Sequence, residues 1–234
     1  MPEKKTYRER PKVSVIVPVY NHERFIGRCM RSLLQQTMDK NSYEIILVDD
    51  ASTDLTPYAI EQFSSRFASH IVTIRNEENL GLPASLNKAL AVAVGEFIVR
   101  VDSDDFVNEN FLTFLYQYLV MNPHADAVAC DYLLTNDLEE VIGRGDCQKE
   151  PIGCAILFRK EHILNVGLYN EEFRNLEEKE LRARFDKHYT VEHLTVPLYR
   201  YRRHDHNITN DKASIEHYRR KLEEIEEQNE RQTD

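Results

Sequence analysis

The sequence predicts an α/β fold: a mostly parallel central sheet flanked by helices. Three observations carry this. In the first half, short β-branched runs alternate four times with segments of helical spacing. The carboxyl ends of those runs are polar: Tyr20-Asn21, Asp49-Asp50, Arg75-Asn76 and Asp102-Ser103-Asp104-Asp105. Strands of a parallel sheet share one direction, so these ends converge on one rim, where such sheets bind ligands. From about residue 125 the alternation weakens and the second half reads as α+β.

Val13–Val19 is β-branched and apolar on both faces, as a buried parallel strand requires. Asn21 is the expected N-cap of a helix burying Phe25, Ile26, Cys29, Met30, Leu33 and Leu34. A strand over 44–48 ends at Asp49-Asp50, and Thr53 or Asp54 should cap a helix with Ile60, Phe63 and Phe67 inward. A strand over 71–74 leads to a helix over 84–94, and one over 96–101 leads to a helix around 111–119. Residues 127–130 read as strand, Asn136-Asp137 as a turn and 143–151 as a flexible loop. Strand resumes over 154–158, and a helix over 160–166 is closed by Gly167. From Asp211 the tail reads as a charged helix with Ile215, Tyr218, Leu222 and Ile225 in a narrow stripe, and Glu223 to Glu230 as its solvated face. Docking of the stripe on the body is the expectation; a homodimer contact is the alternative. Asn207-Ile208-Thr209 fits a glycosylation sequon, read as chance.

The 234 residues carry 40 acidic and 30 basic side chains, a net charge of −10, which disfavours nucleic acid as a partner. An anionic ligand would need a metal or local cations. The four cysteines form no C-x-x-C pair and read as reduced thiols. Residues 1–12 lack an apolar signal region, and the apolar run over 89–94 is far short of the ~18 residues a spanning helix needs. The expectation is a cytoplasmic protein with no transmembrane span; peripheral attachment at the inner face of the membrane stays open.

Asp102-Ser103-Asp104 ends the fourth predicted strand, and Asp105 adds a third carboxylate. So much like charge is costly unless a cation is shared, and oxygen ligands favour Mg²⁺ or Mn²⁺. A glycine-rich phosphate loop after the first strand, or a G-x-G-x-x-G anywhere, would point to a nucleotidyltransferase or a dehydrogenase. Neither pattern occurs.

Four segments in order, the 13–21 run, Ile46 to Asp54, Asn79-Leu80-Gly81 and Val101 to Asp105, resemble the successive signatures of family 2 glycosyltransferases. The resemblance runs from about Lys12 to Asn210. It implies a GT-A fold with a nucleotide-binding half over about 13–110, an acceptor half over about 111–210, a 1–12 extension and a 211–234 helix. It implies an inverting transferase that moves a sugar from a nucleotide-sugar donor, UDP-linked by expectation, to a hydroxyl of a saccharide or lipid-linked saccharide acceptor. On that resemblance Pro18, Tyr20 and Asn21 line the base and ribose pocket, Asp50 or else its neighbour Asp49 bonds the base edge, and Arg75 meets base or diphosphate. Gly81 supplies positive φ in the next turn. Asp102, with Ser103, serves the ribose and metal shell, Asp104 ligates the Mn²⁺ or Mg²⁺, and His204 is its third ligand. Arg200, Arg202 and Arg203 form a basic cluster near the diphosphate. Glu177-Glu178 matches the family's acidic pair and puts Glu178 where the catalytic aspartate stands, one methylene longer with the same proton chemistry. Glu171, Glu172, Glu177 and Glu180 are rival carboxylates. The alternative function is an inactive nucleotide-sugar-binding module of the same fold.

Overall fold

The computed structural model describes residues 10–205, 207 and 210–233, without the side chains of 226–233. The first half comprises β1 (Val13–Val19), α1 (Ile26–Leu34), β2 (Tyr43–Asp49), α2 (Thr56–Arg66), β3 (Ile71–Arg75), α3 (Leu82–Val92) and β4 (Phe97–Arg100). Then follow β5 (Phe106–Val107), α4 (Phe111–Met121), β6 (Ala127–Thr135), β7 (Val141–Gly145) and β8 (Ile156–Arg159). The chain continues as α5 (Lys160–Asn165), α6 (Glu177–Phe185), β9 (Val191–Arg202) and α7 (Lys212–Thr233).

All nine strands among the described residues join one sheet, ordered β3-β2-β1-β4-β8-β6-β9-β5, with β7 paired to β6. The first four are parallel, as the strand-helix alternation predicts. β8 then runs antiparallel to both β4 and β6, so the sheet continues without a break into the second half. β9 lies parallel to β6 and carries β5 antiparallel on its other edge. Strand alternation divides the core into two layers. Val13, Val15, Val17 and Val19 face α1 and α4 through Cys29, Met30, Leu33, Phe111 and Leu115. Ile16 and Ile46 face α3, α5 and α6 through Leu86, Leu90, Ile163, Leu181 and Phe185.

Several boundaries differ from the sequence reading. α1 starts at Ile26 without a side-chain cap, because Asn21 turns to φ +53° and engages the loop after β2 instead. Asp54 does serve the start of α2, its Oδ1 accepting the Thr56 N–H at 2.9 Å. α3 begins earlier than 84, with Pro in its first turn and Gly81 before it at φ +90°. The expected loop at 143–151 is in part β7, where Gly145 lies flat against the Tyr132 ring: a Cβ there would sit 1.9 Å from that ring. β5 and the first half of β9 have no strong sequence signal, since tertiary pairing supplies their order. The four cysteines are buried and unpaired. α7 docks on the body: Tyr218 packs on Phe173 at 5.7 Å and Lys221 pairs with Glu172 at 2.7 Å. The 1–9 stretch and two residues of the sequon, Ile208 and Thr209, lie outside the described residues.

Candidate active site

The carboxyl ends of β1 to β4 meet on one rim, and the loops there are stitched to each other. Asn21 donates its N–H to Ser52 Oγ (2.9 Å) and accepts the Thr53 N–H on Oδ1 (2.8 Å). Pro18 is buried within β1 beside Val48, so of that segment Tyr20 and Asn21 reach the rim.

The two aspartates ending β2 have different roles. Asp50 is fully engaged: its oxygens accept Asn76 Nδ2 (2.7 Å), Leu80 N–H (2.9 Å) and Gly81 N–H (2.8 Å), which fixes the Asn79-Leu80-Gly81 turn. Of the two expected to meet a base edge, Asp50 is therefore turned inward by this turn. Asp49 accepts the Ser52 N–H on Oδ1, while its Oδ2 is buried with no hydrogen bond and stands 3.5 Å from Arg75 Nε. An unsatisfied buried carboxylate oxygen is costly and awaits a donor. Arg75 is mostly exposed and reaches Ser52 O at 3.2 Å, beside that oxygen.

At the end of β4 the acidic turn separates its three carboxylates. Asp102 gives both oxygens to the Arg100 guanidinium, at 2.5 and 3.0 Å. Asp104 Oδ2 meets His204 Nε2 at 2.9 Å, 100 residues further along the chain. Burial would raise the Asp104 pKa, yet the His204 hydrogen bond and the nearby His22 and His204 charges hold it below the usual value. The His204 ring stacks on Phe25 at 4.6 Å, which fixes its plane. Asp105 is a structural group: it accepts the Tyr199 hydroxyl and the Arg202 N–H, both at 2.7 Å, and burial beside Asp104 and Asp102 pushes its carboxyl well up. Atoms of Asp102, Asp105 and Cys154 lie within 4.8 Å of one another. With Asp102 held by Arg100, Asp105 by Tyr199 and the Cys154 thiol pushed far up by burial, that set is a hydrogen-bonded floor. Carboxylate and imidazole converge instead at Asp104 and His204, a donor pair that suits Mn²⁺ or Mg²⁺. Ser103 is buried, its hydroxyl 2.7 Å from His22 Nδ1.

Within the basic cluster, Arg202 is turned inward. Its side chain is buried, with Nε donating to Asp104 O (2.8 Å) and Nη2 meeting Glu139 (3.4 Å), and it lies over the Phe25 and Phe106 rings. It braces the acidic turn through the Asp104 carbonyl. Arg200 donates to the carbonyls of Pro197 and Tyr199, and Arg203 is exposed over the Tyr201 ring.

The acidic pair opens α6 just after Leu176, a residue at φ +60°. The rivals have partners: Glu177 with Arg100 at 2.7 Å, Glu180 with Arg184, Glu171 with Asn87 and Glu172 with Lys221. Glu178 takes no hydrogen bond from another side chain among the described residues. Burial, followed by the adjacent Glu177 charge, pushes its pKa up to about 7. That value suits a general base near neutral pH.

As site residues, sequence reasoning passed over Arg100, Gly153, His22 and Tyr169, and it placed Phe25 only on the buried face of the first helix. Arg100 did have a signal, a lone cation in an otherwise apolar strand. The others are recognisable only by what the fold sets beside them.

Comparison with known proteins agrees with this fold. Residues 14–165, more than half of the chain, match the model of "Glycosyl transferase family 2". The chain is 40% identical over 107 residues to a poly(ribitol-phosphate) beta-glucosyltransferase of Bacillus spizizenii, covering 46% of this chain and 17% of that protein. It is 30% identical to EpsH of Bacillus subtilis over 92% of this chain and 65% of that one. The chain thus spans less than two thirds of the length of these relatives. The structure of Staphylococcus aureus TarS in complex with UDP-GlcNAc superposes with a TM-score of 0.73 at 26% identity, over 86% of this chain and 61% of that one. The curled sheet, the rim and these likenesses agree: the chain has the GT-A fold and belongs to glycosyl transferase family 2.

Proposed function

We propose that the protein is an inverting glycosyltransferase that takes a UDP-sugar as donor and a saccharide hydroxyl, free or lipid-linked, as acceptor. One observation carries the reading: Glu178, a carboxylate with no side-chain hydrogen bond among the described residues, lies with Arg100 around Gly153, and Arg100 holds Asp102, two residues before the Asp104 that meets His204. The UDP-GlcNAc complex of TarS supports the choice of donor. Asp49 Oδ2 accepts from the base edge, with Arg75 beside it; Tyr20 and Asn21 line the nucleoside; Asp102, its charge balanced by Arg100, accepts a ribose hydroxyl beside Ser103. Asp104 and His204 would hold Mn²⁺ or Mg²⁺, which supplies positive charge to the departing diphosphate. Arg203, exposed just after β9, is a cation left to meet the diphosphate. Glu178 takes the acceptor proton as the acceptor oxygen bonds to the anomeric carbon. The bond from that carbon to the diphosphate oxygen breaks on the opposite face, giving inversion in one displacement. No helix among the described residues is long and apolar enough to cross a membrane; a lipid-linked acceptor would be met at the inner membrane face.

The test is binding and turnover of UDP-, dTDP- and GDP-sugars with Mn²⁺, for wild type, Asp104→Ala and Glu178→Gln. The expected result is donor binding by wild type and Glu178→Gln, weaker metal-dependent binding by Asp104→Ala, and transfer by wild type alone. Donor binding without transfer to any acceptor would mark an inactive binding module, and no binding of any donor would defeat both.

A further inference from the structure

Resting on the base assignment above, we infer that Arg100 is a positioning residue that ties the donor-side carboxylate Asp102 to the acceptor-side pair Glu177-Glu178, setting the separation of donor and base. Arg100 closes β4 with its side chain 10% exposed. One edge of its guanidinium takes both oxygens of Asp102, and the remaining nitrogen, Nη1, takes Glu177 Oε1 at 2.7 Å. Asp102 belongs to the nucleotide-binding half and Glu177 to the first turn of α6. Glu177 is 4% exposed, so this contact is poorly screened by water and salt. A planar fork can hold two carboxylates at a fixed angle, which a lysine cannot do. Gly153 closes the arrangement from a third segment: a Cβ there would lie 2.9 Å from Glu178 Cβ and Cγ and 3.3 Å from Arg100 Nη1.

The tie also acts on the base electrostatically. The charged and titratable groups around Glu178 are Glu177 and Lys179 on its own helix, Arg100 from β4, and Tyr169 from the segment before α6. Arg100 favours the ionised base and Glu177 opposes it. Removing one or the other therefore moves the titration of Glu178 in opposite directions, a signature that simple loss of packing does not produce.

The experiment uses the full chain with ¹³C-carboxyl-labelled glutamate, the Glu178 resonance being assigned by its loss in Glu178→Gln. Its titration is followed by NMR in Arg100→Gln, Arg100→Lys and Glu177→Gln, alongside UDP release from UDP-GlcNAc. The expected result is a Glu178 midpoint above wild type in Arg100→Gln and below it in Glu177→Gln. Arg100→Lys, with charge but no fork, should lose about 100-fold in kcat while donor affinity stays within about threefold. Unchanged midpoints in both neutral variants, or full kcat in Arg100→Lys, would overturn the inference. If Arg100→Gln does not fold, Glu177→Gln decides: a lowered midpoint supports the tie and an unchanged one removes it. Failure of the base assignment looks different, because Glu178→Gln would then retain turnover whatever the midpoints do.

Discussion

Glu178 and Asp50 show how much a carboxylate's surroundings decide. Both stand in acidic pairs, yet Asp50 accepts three hydrogen bonds and Glu178 none from another side chain among the described residues. As the proposed base, Glu178 must be ionised to accept a proton, so transfer by the wild type should rise with pH through about 7, as a pH–rate profile would show. The stability sign is the reverse. A carboxyl raised in the folded state binds protons more tightly there than in the unfolded chain. Stability therefore falls as pH rises from the ordinary 4.5 to about 7. Glu178→Gln should accordingly stabilise the protein above pH 7, by on the order of 2 kcal/mol in chemical denaturation. Asp50→Ala should act the other way. It strands the Leu80 and Gly81 N–H groups and Asn76, at a cost of about 3 kcal/mol by the same measurement.

At the scale of elements, α6 presents Glu177 and Glu178 because the chain enters it through Leu176 at φ +60° and because Gly153 lets the neighbouring loop close over it. Gly153→Ala should displace Glu178 by a few tenths of an ångström and lower kcat more than donor affinity, which steady-state kinetics with donor titration would reveal. The stripe on α7 docks through Tyr218, against Phe173, a fully buried side chain three residues before Leu176. Phe173→Ala should release α7 to limited proteolysis and cost about 3 kcal/mol, the usual penalty for emptying a large aromatic site. Sedimentation of the intact protein would show whether the same helix also joins two copies.

At the scale of the molecule, the site exists because one sheet carries strand ends from both halves to one rim. The four parallel strands were legible because each is a β-branched run followed by helical spacing, and their polar ends named Asp49, Asp102 and Asp104 directly. β5, β7 and the start of β9 were not, since short or polar strands take their order from neighbours already in place. By itself the sequence determined the fold class, the rim and the carboxylates on it, because local patterns of apolar and acidic residues suffice for these. Only the tertiary structure decided the partners: Asp104 with His204, Asp102 with Arg100, Asp50 with its turn, Arg202 with the Asp104 carbonyl, and Glu178 with no side-chain hydrogen bond among the described residues. Those pairings join residues up to 100 positions apart, and what settles them is which groups remain buried together once the sheet has closed.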